Sequence, residues 1–201
     1  MKGKKRGTIR RLGVESSKTR ARLIEAAAQI IRKEGYAAVT AGRLAEKFGL
    51  KRHIVHYYFH TMEDLCIAVM RRQGEKVREL LTKSLESGEP LRALWEHRHV
   101  MSATTSEFIA LASHRKAARA EMKRHTEEFR RIQTEAVERH LKLHGIESAV
   151  PPIVIVIGLL SLAQSLAVEA EMNISMGHAE TEAIVDEWLR AFARKSESAS
   201  H

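Results

Sequence analysis

The chain has 201 residues, 44% hydrophobic and 29% charged, with one cysteine and three prolines. That length gives one or two domains with a real core, and the lone Cys66 excludes an intrachain disulfide framework. The net charge of +9 is unevenly placed: residues 1–60 carry 15 Lys and Arg against four Asp and Glu, whereas residues 61–201 carry 19 against 21. Such asymmetry points to a nucleic-acid or anionic-membrane contact in the first third. Few prolines leave room for long helices, and strand-like alternation is hard to find, so the expected class is all-α. No apolar segment of a secretory signal follows the basic start, which places the chain in the cytoplasm. Cys66 falls in the apolar rhythm of LCIAVM and reads as a small buried hydrophobe, with a redox switch as the rival.

The elements follow in order. MKGKKRGTIRRLG, with six Lys or Arg in its first eleven residues, is a basic arm, either a passive tail or a segment that tracks phosphates or a minor groove. A helix capped by Ser17 runs to Glu34, with Leu23, Ala26, Ala27, Ile30 and Ile31 at helical spacing, and Gly35 ends it. Thr40 is the natural N-cap of a short second helix whose inner face is Leu44, Ala45 and Phe48, closed by Gly49. LKRHIVHYYF is a third short helix with Ile54, Val55, Tyr58 and Phe59 inward. Short helix, glycine-bearing turn and short helix behind a longer helix is helix-turn-helix order.

A long helix follows over Met62–Leu85, apolar at Leu65, Val69, Val77, Leu80 and Leu81, then helices over Leu91–Met101 and Ser106–His114. The next starts at Lys116 and ends at Gly145, with the stripe Ala118, Met122, His125, Phe129, Ile132, Ala136, Val137, His140 and Leu141. The segment from Ile153 to Met172 is apolar nearly all round. Ser161, Gln164, Ser165 and Glu169 leave it short of the roughly 20 apolar residues of a membrane span, so a buried helix with one face on a second subunit is expected. The last helix, Ala179–Ala193, carries Ile184, Val185, Trp188, Leu189 and Phe192. The chain thus divides into an arm (1–15), a helix-turn-helix domain (16–61), a ligand-binding and dimerisation domain (62–195) and a polar tail (196–201).

Lys51, Arg52, His53, His56 and Tyr57 share the outward face of the third helix, with no carboxylate between Gly49 and Thr61. Long donors and aromatic rims on an α-helix suit the major groove. His53, His56 and His60 recur at i, i+3 and i+7, but two adjacent cations and the lack of a carboxylate partner argue against a metal site. No metal or cofactor is expected.

The first 65 or so residues resemble the DNA-binding domain of the TetR family of transcriptional regulators. The resemblance rests on Gly35–Tyr36, Thr40, LAEKFGL at Leu44–Leu50, VHYYF at Val55–Phe59 and EDL at Glu63–Leu65. Departures are Lys51 for a capping Ser, His53 for a common Gly, His56 for a phosphate-contacting Tyr and Met62 for a Lys. The resemblance implies an all-α homodimer of about nine helices that binds a palindromic double-stranded DNA operator. Its contact residues here are Thr40, Arg43, Lys51, Arg52, His53, His56 and Tyr57. It further implies a ligand pocket in the C-terminal helices and pairing through the last two, here Ile184, Val185, Trp188 and Phe192.

Polar or aromatic interruptions on apolar stripes nominate Trp95, His99, Phe108, His125, Phe129 and Gln164 as lining for a small-molecule effector. No nucleophile elbow, phosphate loop or metal signature suggests an enzyme, and no membrane contact is expected. The expected function is a ligand-responsive regulator, a repressor by family analogy. The alternative is an effector-independent DNA-binding regulator with a filled C-terminal core.

Overall fold

The computed structural model describes residues 18–86, 88–96 and 103–198. Among them are nine α-helices, one short 3-10 turn and no strand. The chain separates into two compact units at Arg71/Arg72, inside the fourth helix rather than at residue 61.

The first unit comprises α1 (Lys18–Glu34), a 3-10 turn (Tyr36–Ala38), α2 (Ala41–Lys47), α3 (Arg52–Tyr58) and the start of α4 (Met62–Leu85). α1 buries Leu23, Ile24, Ala26, Ala27, Ala28, Ile30 and Ile31, the expected stripe with two neighbours. Thr40 caps α2 as expected, its Oγ1 accepting from Arg43 N at 3.3 Å. Gly49, at φ 60°, makes the left-handed turn that α2 needs before α3 can start. Leu44 and Ala45 are buried and Phe48 is half-buried. In α3, Val55 is the buried position and Phe59, just past its end, is buried too, whereas Ile54 and Tyr58 are half-covered rather than fully inward. Cys66 is buried, and burial, with Glu63 nearby adding to it, pushes its thiol up to about 11. A thiol so protonated at neutral pH is a poor redox sensor.

The second unit holds the rest of α4, then α5 (Pro90–Glu96), α6 (Ala103–His114), α7 (Lys116–Leu143), α8 (Pro152–Glu171) and α9 (His178–Ser198). Its core gathers Leu81, Leu91, Leu94, Trp95, Val137, Leu141, Val156, Ala163, Leu166, Val185 and Leu189. Within this unit α7 packs on α5, α6 and α8, and α5 packs on α8. Leu80 is exposed, contrary to its place in the apolar reading of α4, because the adjacent Leu81 takes the inward position. α5 is described only to Glu96, so the expected continuation to Met101 lies outside the described residues. α6 begins at Ala103, three residues before the expected start. α8 is 20 residues long and apolar enough to cross a membrane by length and composition, which corrects the sequence estimate that it falls short.

One buried histidine gives this core a pH dependence. The His140 ring stacks on Phe192 of α9 at 5.5 Å and lies 4.6 Å from the His144 ring. Burial, then repulsion from His144, lowers its pKa below the ordinary 6.5, against a hydrogen bond to the Gly88 backbone and the nearby Glu89 carboxylate. The folded state therefore prefers neutral His140. Its contribution to stability is complete above the ordinary histidine pKa and is lost as the pH falls from there through the folded-state value. His140→Phe should lose less Tm than the wild type between about pH 7.5 and pH 5. Parallel melting profiles for the two proteins would refute this assignment.

Candidate nucleic-acid interface and polar interior

The helix-turn-helix is built by burying one side of two short helices. Val55 is 0% and Phe59 2% exposed, and these hold α3 so that its other side faces outward. The Arg20 guanidinium lies over the Phe59 ring at 4.9 Å, and Arg22 lies over Phe48 at 4.8 Å, so two cations of α1 also pin the aromatic ends of α2 and α3.

The seven residues named from sequence fall into two groups. Lys51, Arg52, His53, His56 and Tyr57 are all exposed and occupy one side of α3 and its N-cap. Lys51 starts the helix in extended backbone and makes no side-chain cap bond, as a lysine must. Tyr57 stands 44% exposed, with its ring edge-on to Tyr58 at 5.1 Å. The Arg52 guanidinium lies across Gly42 of α2, 3.2 Å from where a Cβ would sit, so the glycine lets this side chain lie close against α2. Thr40 and Arg43 differ. Thr40 is exposed and spends its oxygen on the cap. Arg43 donates to Glu34 Oε1 at 2.7 Å and to the Ala38 carbonyl at 3.4 Å. The Arg43 hydrogen bond holds the Glu34 carboxyl below its ordinary range, so Arg43 already has an ion-pair partner within the chain. No cluster of three His, Cys, Asp or Glu fit for a metal occurs among the described residues.

In the second unit the candidate ligand residues lie on several helices. Trp95 lies in the core cluster, and Phe129 packs against that cluster. Phe108 is buried on α6 and Gln164 is half-buried on α8. His99 lies outside the described residues. His125 on α7 stacks on Phe129 at 6.2 Å and presses on α4 at Gly74, where a Cβ would come within 2.5 Å of the ring. Only a residue without a side chain lets the imidazole in.

Sequence reasoning missed the partner of that ring. Glu121, 6% exposed, receives Arg124 Nη2 at 2.7 Å and lies 3.1 Å from His125 Nε2, both at Oε1. The 3.2 Å approach of Arg124 Nη2 to His125 Nε2 is then two donors converging on one carboxylate oxygen. Arg124 also reaches Glu128 at 3.2 Å, which in turn binds Arg78 of α4 at 2.9 Å. The hydrogen bond from Arg78 lowers the Glu128 pKa. The available signal was the i, i+4 spacing of Glu121 and His125 on α7.

On α9 the expected interface set splits. Val185 is buried in the unit's own core and Phe192 packs against it, so Val185 is not free to meet a partner. Ile184 and Trp188 point out, Trp188 at 64% exposure. One residue of register, a rotation of about 100°, separates Ile184 from Val185.

Residues 23–69 match the family described as bacterial regulatory proteins, tetR family. Two Pseudomonas putida proteins align over 101 residues, named Probable HTH-type transcriptional regulator ArpR at 29% identity and HTH-type transcriptional regulator TtgR at 28%. In each case the match covers 50% of this chain and 48% of the relative, so the chain spans about half the length of the curated relatives it matches. A TetR transcription regulator from Haloarcula marismortui superposes with a TM-score of 0.68 at 19% identity, over 90% of this chain and 97% of that one. A Saccharomonospora viridis protein solved in complex with choline gives 0.63 at 18% identity, over 89% and 97%. At these identities the structures establish the fold, and the sequence match establishes that residues 23–69 form a helix-turn-helix segment of the tetR family of bacterial regulatory proteins.

Proposed function

We propose that the protein is a DNA-binding transcriptional regulator that acts as a homodimer on a palindromic operator and responds to a small molecule held in its second unit. The observation that carries the reading is the outer side of α3: five exposed donors or aromatics, Lys51, Arg52, His53, His56 and Tyr57, and no carboxylate from Gly49 to Thr61. Cations there neutralise phosphates and release counterions, and Lys or Arg can reach guanine acceptors in the major groove. Arg43, paired to Glu34, serves better as a brace for α2 than as a base contact.

The response to a ligand follows from linkage. An effector that favours one arrangement of the dimer while DNA favours another lowers DNA affinity by the same factor that DNA lowers effector affinity. Moving a population from 99:1 to 1:99 takes about 5.5 kcal/mol of differential affinity. α4 is continuous across the boundary between the two units, so it is the covalent element through which we expect the two events to be coupled. That a protein of the same fold was solved with choline supports a small-molecule role without naming the ligand. The second reading, an effector-independent regulator, draws support from the place of Trp95 within the packed core.

Titration of an operator-containing duplex over a range of salt should give a slope of ~−0.9 in log–log form per phosphate neutralised. Tyr57→Ala should weaken binding while changing stability by no more than about 0.5 kcal/mol. Phe59→Ala should cost roughly 3–5 kcal/mol of stability. Full DNA affinity in Tyr57→Ala, or a salt-independent affinity, would contradict the interface.

Trp188→Glu should convert the dimer to monomer in light scattering, because an unpaired carboxylate would be buried in the interface. Val185→Glu, in contrast, should unfold the second unit. A monomeric wild type at micromolar concentration would refute the dimer.

A further inference from the structure

Four polar side chains on α7 are withdrawn from solvent, and their partners differ. Glu121 has Arg124 and His125, His125 has Glu121, and His140 has the Gly88 backbone. Gln133 is the exception. It is 7% exposed, and its Oε1 is wholly enclosed with no hydrogen-bond partner. Phe129 lies four residues before it and Val137 four after, so the three share one side of α7. Val137 belongs to the core cluster and Phe129 packs against it, so Gln133 lies on the side of α7 that carries both. Thr134 Oγ1 is also enclosed and unpartnered. A helical threonine hydroxyl can, however, turn to the carbonyl four residues back, here that of Arg130, whereas an amide oxygen is an acceptor only and cannot be satisfied by a carbonyl.

Buried acceptors are almost always paired, by protein, water or ligand. We propose that Gln133 Oε1 is the polar anchor of the effector site, taking a hydrogen bond from a hydroxyl or N–H at one end of an amphipathic molecule whose apolar body lies along Phe129 and the neighbouring core. The inference rests on the reading of the second unit as an effector-binding domain. It narrows the ligand class to molecules with an apolar body and at least one neutral donor, and it moves the anchor from His125, already bonded to Glu121, to a residue two turns further along the same helix.

The test uses the full-length protein and a matched series of probes: 4-propyl-, 4-hexyl- and 4-nonylphenol, each beside its methyl ether, which keeps the apolar body, loses the donor and adds one methyl at the oxygen, and beside the 4-alkylbenzene, which loses the donor without adding bulk. Calorimetric titration should show at least one phenol bound about tenfold more tightly than its ether, the worth of one hydrogen bond to a neutral acceptor. Gln133→Met keeps length and loses the acceptor, and it should abolish that preference with a Tm no lower than wild type. Gln133→Leu, shorter and branched, serves as a second variant should methionine pack badly. The proposal is overturned if no phenol binds, if ether and phenol bind alike, if the ether is preferred, or if the preference survives in both variants. A fall in Tm with the preference unchanged assigns Gln133 to the scaffold instead. DNA binding followed on the same samples tests the underlying reading separately. A phenol that releases DNA from wild type and Gln133→Met alike leaves the effector reading standing and removes this one.

Discussion

A seven-residue helix does not hold its shape in water, since isolated helices shorter than about 12–15 residues are marginal. α3 is such a helix, and everything outward on it depends on what lies beneath. Val55 and Phe59, both essentially solvent-free, are the fastening points. Arg20 lies over the Phe59 ring. With the inner side fixed by apolar contact, the outer side is released from any packing duty and can be composed entirely of donors and aromatics. The cost appears at Lys51, a cation at a helix N-terminus with no cap bond, where the helix dipole opposes it. A phosphate at that position would turn the conflict into an attraction. The same local feature weakens the helix in the free protein and would strengthen it beside a phosphate.

The second unit is governed by a different constraint, the cost of polar groups inside an apolar bundle. α7 carries several, and in most cases the structure answers the cost. Glu121 is met by two donors, and the His125 ring fits only because Gly74 has no side chain. The resulting chain from Glu121 through Arg124 and Glu128 to Arg78 ties α7 to α4 with charged bonds on its outer side while Leu81 enters the core on the other. An arrangement of this kind has a definite geometry, because charge-assisted bonds tolerate less sliding than apolar contacts do.

Much of this was legible in the sequence where it depended on local chemistry. Thr40 as a cap, Gly49 as a turn and the stripe of α1 are each decided by a few adjacent residues. The bounds of α4 were legible for the same reason. What escaped needed a neighbour from elsewhere in the chain. Glu121 looks like a surface residue until Arg124 and His125 are seen to enclose it, and Gly74 looks like a weak helix position until the imidazole occupies its place. Arg43 reads as a free cation beside a DNA-facing turn, yet Glu34, nine residues earlier, claims it. Ile184 and Val185 are alike in chemistry, and only the packing of α9 shows which one faces its own core. His99 illustrates a different limit, since it lies outside the described residues.

α8 forces the question of what covers an apolar helix. Only Val156, Ala163 and Leu166 of its twenty residues are buried, and Ile153 and Val154 stand exposed. Length and composition alone would admit a lipid bilayer. The helix is not alone, however. Its C-terminal turn is tied to α9 by Glu169 and His178 at 2.9 Å, and α9 supplies Val185 and Leu189 to the same core cluster as Val156, Ala163 and Leu166. α9 also bears exposed Glu180, Glu187 and Arg190. Immersing α8 in hydrocarbon would bring those charges toward it, at about 2.5–3.5 kcal/mol for each one carried to the bilayer centre. A protein surface imposes no such cost, because the charged side of α9 can stay in water while Ile184 and Trp188, exposed on α9, and the bare side of α8 are covered together. A second copy of the chain offers the matching surface by symmetry, since an isologous contact sets the same apolar patch against itself. The physical requirement to cover α8 without burying the charges of α9 thus agrees better with the helix pairing between two subunits proposed above than with insertion into a membrane.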